Sequence, residues 1–99
     1  MELMSRSLSP EDAWKAASRG EVELLDLRTS AERRRYGAPP GARAVSLARH
    51  AVRPQGSGAV YLCQHAARSK LALHRGAAEV AGGFAAWQAA GLPVEAVSE

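Results

Sequence analysis

The chain of 99 residues contains one cysteine, Cys63, so no disulfide can form within it. A solitary thiol suits a reducing compartment, and a cytoplasmic location is expected. Aromatic residues make up 5% of the sequence, leaving few rings on which nucleic-acid bases could stack. Net charge is small as well: 13 basic and 10 acidic side chains leave +3. That excess tilts slightly toward small anionic substrates. Without a basic stripe interleaved with aromatics, it argues against nucleic acid as a partner. No apolar run reaches the roughly 18 residues of a membrane span. The opening Met1-Glu2-Leu3-Met4-Ser5-Arg6 lacks the apolar stretch and cleavage site of a signal peptide, and no membrane association is expected. Repeats, linkers and low-complexity tracts are missing too. What is there is 46% hydrophobic and 23% charged, the balance of a soluble globular protein. At this length about two-thirds of the unfolded surface can be buried, enough for one modest core and a single domain over residues 1–99.

Turn and cap signals divide the chain. Ser9-Pro10-Glu11-Asp12 opens a helix with a capping hydroxyl, a first-turn proline and two acids on the positive end of the dipole; Gly20 stops it. Val22-Glu23-Leu24-Leu25-Asp26-Leu27 is short and apolar between turn residues and predicts a buried strand. Thr29-Ser30-Ala31-Glu32 caps a second helix running into Arg33-Arg34-Arg35, broken by Gly37-Ala38-Pro39-Pro40-Gly41. A short strand is expected around Ala44-Val45, and a helical turn or two over residues 48–53. Ala59-Val60-Tyr61-Leu62-Cys63 is too apolar to face water and predicts a central strand of a parallel sheet. Residues 66–75 read as a helix, residues 78–81 as a weaker strand, and residues 84–90 as a helix closed by Gly91 and Pro93. Strands alternating with helices predict an α/β fold: a small parallel sheet with helices on both faces.

The chemistry concentrates at Cys63-Gln64-His65-Ala66-Ala67-Arg68-Ser69. A cysteine at the carboxyl end of a buried strand stands where ligands bind in open α/β sheets. The following loop can curl its amides around one point as an anion nest. A helix N-terminus would add partial positive charge and Arg68 a full one. All three favour a thiolate, which is the nucleophilic form. Cys63 could equally be a small buried hydrophobe at a strand end, as many free cysteines are.

The loop resembles the active-site loop of the rhodanese superfamily, whose pattern is a cysteine, four residues, then Arg-Ser. Gly82-Gly83-Phe84-Ala85-Ala86-Trp87-Gln88-Ala89-Ala90-Gly91-Leu92-Pro93-Val94 resembles that family's closing segment. Leu24-Leu25-Asp26-Leu27-Arg28, with Glu32 beyond, is similar to its Leu-Asp-Val-Arg segment, and Pro40-Gly41-Ala42 to its Pro-Gly-Ala turn. Together these span residues 9–94 in family order. The resemblance implies a rhodanese-like domain and a sulfurtransferase. Cys63 would take sulfane sulfur from a small anionic, thiosulfate-like donor as a persulfide and pass it to cyanide, a thiol or a protein sulfur acceptor. The amides of Gln64, His65, Ala66, Ala67, Arg68 and Ser69 would hold the anion, Arg68 would steer the donor, and Asp26 and Arg28 would brace the neighbouring loops. Phosphatase-like members and arsenate reductases of the superfamily carry five residues between cysteine and arginine; four here favour a single sulfur atom over a phosphoryl group. No cofactor is implied.

The chain also departs from the pattern. Ala66 stands where the family favours glycine, and a positive φ there would cost about 1 kcal/mol or more. The segment over residues 70–80 is short by about one to two turns of helix. The histidine of the family's Gly-His-Ile-Pro-Gly segment is missing at Gly37-Ala38-Pro39-Pro40-Gly41, and the approach to that turn is one residue longer. His65 either contacts substrate or points to solvent; His50 and His74 read as surface residues. Cys63, His65 and His74 make no zinc spacing, so no metal is expected. Arg33, Arg34 and Arg35 read as a solvated helix face, with a docking patch as the alternative. Trp14 and Trp87 read as core. Rival functions are a non-catalytic partner-binding module and a sulfur-relay carrier.

Overall fold

The computed structural model describes residues 6–52, 58–71 and 77–98. Five parallel strands form one sheet: β1 (Arg6–Leu8), β2 (Glu23–Asp26), β3 (Arg43–Ala44), β4 (Ala59–Leu62) and β5 (Ala78–Val80), in the order β1-β5-β4-β2-β3. The helices are α1 (Pro10–Ser18), α2 (Ser30–Tyr36), α3 (Leu47–Val52) and α4 (Gly83–Ala89). This is the expected parallel α/β architecture, and none of these helices is long and apolar enough to cross a membrane.

The central strands alternate their side chains between two apolar layers, as a strand buried on both faces must. Leu24, Val60, Leu62, Ala78 and Val80 pack with Ala13 of α1 and with Phe84 and Trp87 of α4. Leu25, Ala59 and Tyr61 point to the other face, where Leu47 of α3 packs. Local signals place the helices. Ser9 Oγ accepts from Asp12 N–H at 3.0 Å at the head of α1. Thr29 and Glu32 form a reciprocal capping box at the head of α2.

Three sequence expectations change. The edge strand β1 was not anticipated, because the three residues Arg6-Ser7-Leu8 are too few to carry a period of their own; pairing of Arg6, Ser7 and Leu8 with Ala78, Glu79 and Val80 creates it. The helix expected over residues 66–75 is replaced, among the described residues, by turns and a 3₁₀ turn at Ser69–Leu71; His74 lies outside the described residues. His50 is buried rather than superficial, with Nδ1 2.8 Å from the Tyr61 hydroxyl.

Trp87 is wholly buried. It meets Trp14 edge-on at 5.8 Å and donates its indole N–H to the Pro93 carbonyl at 2.8 Å. Trp87→Ala is expected to destabilise the fold by about 3–5 kcal/mol, read as a lower urea midpoint at unchanged slope.

Candidate active site

Strand order creates the crevice. From β2 the chain moves outward to β3, and from β4 it moves the opposite way to β5, so the loops leaving β2 and β4 part at the carboxyl edge of the sheet. Asp26 pairs with Leu62, and the Leu27 N–H donates to the Leu62 carbonyl at 2.9 Å. Cys63 is therefore the first residue past β4, level with the end of β2.

The loop after Cys63 doubles back on the sulfur. The Sγ atom accepts from the main-chain N–H groups of Arg68 at 3.1 Å and Ser69 at 3.3 Å. The turn that makes this reversal runs through Ala66, whose φ is 68°, the left-handed region that favours glycine. Behind the loop, Phe84 N–H donates to the Cys63 carbonyl at 2.8 Å and Ala85 N–H to the Gln64 carbonyl at 3.0 Å. These contacts require Gly83: a Cβ there would overlap the Cys63 carbonyl oxygen and lie 2.7 Å from Ala66 N. The first turn of α4 is thus pressed directly onto the back of the sulfur loop.

Buried charge holds the loop's surroundings. Arg28 grips both Asp26 carboxylate oxygens, at 3.0 and 2.8 Å, and donates to the Gly37 carbonyl at 2.7 Å and to Gln64 Oε1 at 3.3 Å. Its guanidinium lies 4.0 Å from the Phe84 ring centroid. One side chain thereby connects the ends of β2, α2 and the sulfur loop to α4. Arg33, expected on a solvated face, is buried instead and donates to the Arg28 carbonyl at 2.7 Å. That bond satisfies a carbonyl inside the brace. Arg34 and Arg35 remain exposed.

Two acidic residues complete the arrangement, and sequence reasoning gave neither a site role. Glu32 takes the Arg68 guanidinium in a fork at 2.8 and 2.7 Å. This pairing holds the Glu32 carboxyl at about 2, from an ordinary 4.5. Glu79, buried in β5, lies 2.7 Å from the Ser69 hydroxyl, accepts from Ser7 Oγ at 3.0 Å, and pairs with Lys70. Burial pulls its carboxyl upward, but the hydrogen bonds from Lys70, Ser69 and Ser7 outweigh that and hold it below the usual range. The Ala66 carbonyl is 3.1 Å from the same Ser69 hydroxyl. The signal for Glu79 was its placement as a lone charge among Ala77, Ala78 and Val80. A buried strand tolerates such a charge only with partners.

The expected site residues therefore divide. Ser69 and Arg68 reach the sulfur through their main-chain N–H groups. Arg68 does not present a free charge, since Glu32 neutralises it. The helix expected to start just after Cys63 does not form among the described residues, and no bond to Sγ comes from the amides of Gln64, His65, Ala66 or Ala67 there. Cys63 itself has no exposed surface. Beside it lies a cleft of about 340 Å³. One wall is α2, through Ala31, Glu32, Arg35 and Tyr36; the other is the sulfur loop, through Gln64, His65 and Arg68. His65 is exposed there. Cys63 is not among the residues that line the cleft.

No family model matches the chain, and no curated protein matches it. Solved structures do. The chain is similar to a protein of unknown function from Rhodopseudomonas palustris, described as a possible tyrosine phosphatase, at 28% identity over 91% of this chain and 84% of that one, with TM-score 0.76. It is similar to a rhodanese-related protein from Thermoplasma volcanium at 20% identity over 91% of this chain and 97% of that one, with TM-score 0.71. It is also similar to a thiosulfate sulfurtransferase from Pseudomonas aeruginosa at 24% identity and TM-score 0.75; the match covers 92% of this chain and 19% of that longer one. At such identities the last two likenesses are likenesses of fold.

Two outcomes follow from the geometry. Ala66→Gly removes the methyl group from a left-handed position and is expected to stabilise the protein by up to about 1 kcal/mol, the relief being offset by the freer unfolded chain; a lower thermal midpoint would contradict it. Because the Glu32 carboxyl is depressed on folding, its contribution is fully present above pH 4.5 and is lost as pH falls toward about 2. The pair is part-exposed, so the effect is screened. Glu32→Gln is expected to flatten the fall in stability over that window, as followed by circular dichroism.

Proposed function

We propose that this chain, which has the rhodanese-like fold, is a sulfurtransferase that carries sulfane sulfur on Cys63. The observation supporting this reading most directly is the pair of main-chain N–H groups on Cys63 Sγ. Donors of this kind favour a sulfur anion, and they suit a persulfide anion equally. Hydrogen bonds to charged acceptors are worth about 1.5–3 kcal/mol each.

The reaction runs in two displacements. The Cys63 thiolate attacks the outer sulfur of a thiosulfate-like donor. A new S–S bond forms, the donor's S–S bond breaks, and sulfite departs with the electron pair, leaving a persulfide anion on Cys63. An acceptor nucleophile, cyanide or a thiolate, then attacks the outer persulfide sulfur, and Cys63 leaves as thiolate held again by the two amides. Neither step needs a metal or a redox cofactor, because each nucleophile's electron pair forms one bond while one S–S bond breaks. Four residues separate Cys63 from Arg68, and the small ring they close favours one sulfur over a phosphoryl group.

Zero exposure of Cys63 and the strained Ala66 favour a second reading, a partner-binding module without turnover. One measurement separates the two. After incubation with thiosulfate in the absence of reductant, intact-mass spectrometry is expected to show a gain of one sulfur, absent in Cys63→Ser and reversed by cyanide with release of thiocyanate. An unmodified wild-type mass would remove the sulfurtransferase reading. Hydrolysis of an aryl phosphate dependent on Cys63 would point instead to the phosphatase description given to the Rhodopseudomonas protein.

A further inference from the structure

We propose that Glu79 is a positioning residue for the sulfur chemistry: from the middle of β5 it holds Ser69, and through Ser69 it aims the returning arm of the loop whose main-chain N–H groups meet Cys63 Sγ. The proposal rests on the sulfurtransferase reading and adds to it the residue that sets the donors.

The register of the sheet puts Glu79 in place. It lies level with Ser7 of β1 on one side and with Tyr61 of β4 on the other. Its neighbours Ala78 and Val80 point into the layer shared with α1 and α4, so alternation turns Glu79 to the opposite face. Tyr61 stands two residues before Cys63. The carboxylate is therefore buried close to where the sulfur loop leaves β4.

Burying a carboxylate is costly unless it is fully hydrogen-bonded, and an apolar side chain would serve the packing of the strand better. What this carboxylate supplies is a grip on the loop. Its Oε2 takes the Ser7 hydroxyl at 3.0 Å and the Lys70 ammonium, while Oε1 takes the Ser69 hydroxyl at 2.7 Å. That hydroxyl has a single proton and a second oxygen in reach, the Ala66 carbonyl at 3.1 Å. The charged and nearer acceptor claims the proton. Ser69 is then bonded at both ends, its hydroxyl on the carboxylate and its main-chain N–H on Sγ at 3.3 Å. Once the first contact fixes the Cα–Cβ bond, the direction of the N–H bond at the same Cα is fixed with it. Lys70, the next residue, grips the same carboxylate, so consecutive side chains anchor the returning arm. The 3₁₀ turn that follows Arg68 has three residues, too few to hold that arm by helical hydrogen bonds alone.

The charges around the sulfur loop are paired: Asp26 with Arg28, Glu32 with Arg68 and Glu79 with Lys70. Lys70 offsets the charge of Glu79, so the anchor does not oppose a sulfur anion. The Glu32 grip on Arg68 lies at the far end of a flexible stem. The Ser69 hydroxyl sits on Cβ and passes its position directly to the main chain. Glu79 takes no part in the bond changes and acts through Ser69.

The test uses the full chain and two readouts. In proton–nitrogen correlation spectra, Glu79→Ala is expected to move the amide resonances of Arg68 and Ser69 upfield, as weaker hydrogen bonds do. The amides of Phe84 and Ala85, which support the loop from α4, are expected to stay in place. Turnover of thiosulfate with cyanide is expected to fall about tenfold in kcat, the low end of what one hydrogen bond to a charged acceptor is worth, with KM for thiosulfate little changed. Glu79→Gln keeps an oxygen for the Ser69 hydroxyl and is expected to restore most of both readouts. Ser69→Ala is expected to reproduce the kcat loss, and adding Glu79→Ala to it to lower kcat no further. Equal movement of all four amides, additive losses in the double variant, or Glu79→Gln matching Glu79→Ala would mark a general packing role and overturn the proposal. If Glu79→Ala does not fold, Ser69→Ala decides: an unchanged kcat with an unmoved Arg68 amide overturns it. If wild-type protein neither takes up sulfur nor turns over, the sulfurtransferase reading fails, and the amide resonances alone decide whether Glu79 aims the loop.

Discussion

Everything at the carboxyl edge of this sheet depends on one reversal of the main chain, which brings the N–H groups of Arg68 and Ser69 back onto the sulfur of Cys63. The reversal is costly in two ways: Ala66 occupies a left-handed conformation, and the loop's carbonyls must find donors away from water. Gly83 meets the second need. Lacking a side chain, it lets α4 approach until Phe84 and Ala85 donate to the Cys63 and Gln64 carbonyls. The same helix carries Trp87 into the core. Loop geometry and hydrophobic packing are therefore a single construction: the burial that seats α4 also fixes the direction of the amides.

The role of charge here is mostly supportive. Arg28 and Asp26 neutralise each other in the interior, and Arg68 and Glu32 do so at the surface of the cleft. Buried pairs of this kind are weak sources of stability but strong constraints on geometry, because moving either partner leaves the other unsatisfied. Arg28 is the clearest case, holding a strand end, a helix end and the sulfur loop through four separate acceptors and an aromatic ring. The sulfur is thus served by neutral peptide dipoles, while the guanidinium that the spacing placed nearest to it is occupied elsewhere.

Much of this was legible in the residues. Caps at Ser9 and Thr29, the apolar strands ending at Asp26 and Leu62, and the Gly82-Gly83 turn all carry local signals strong enough to survive tertiary context. Ala66 stood out only through the family resemblance, which favours glycine there, and its φ is positive. The remainder was hidden for definite reasons. β1 exists only because β5 offers an edge to pair with. His50 and Arg33 are polar, and nothing local distinguishes a satisfied interior group from a solvated one. The expected helix after Cys63 rested on an Ala-rich run with good propensity, but propensity is easily overridden. Here Ser69 and Lys70 are drawn instead toward Glu79, a long-range partner no periodicity reveals.

Glu79 has a consequence for handling the protein. The carboxylate that receives the Ser69 hydroxyl also receives that of Ser7, on the outermost strand. An affinity tag or fusion joined ahead of Arg6, if it tugged β1 off the sheet, would take away one of the hydroxyls that keep this anion comfortable indoors. The disturbance would travel through a single carboxylate to the peptide that faces the sulfur. Placement of an appendage at the opposite terminus avoids that lever altogether.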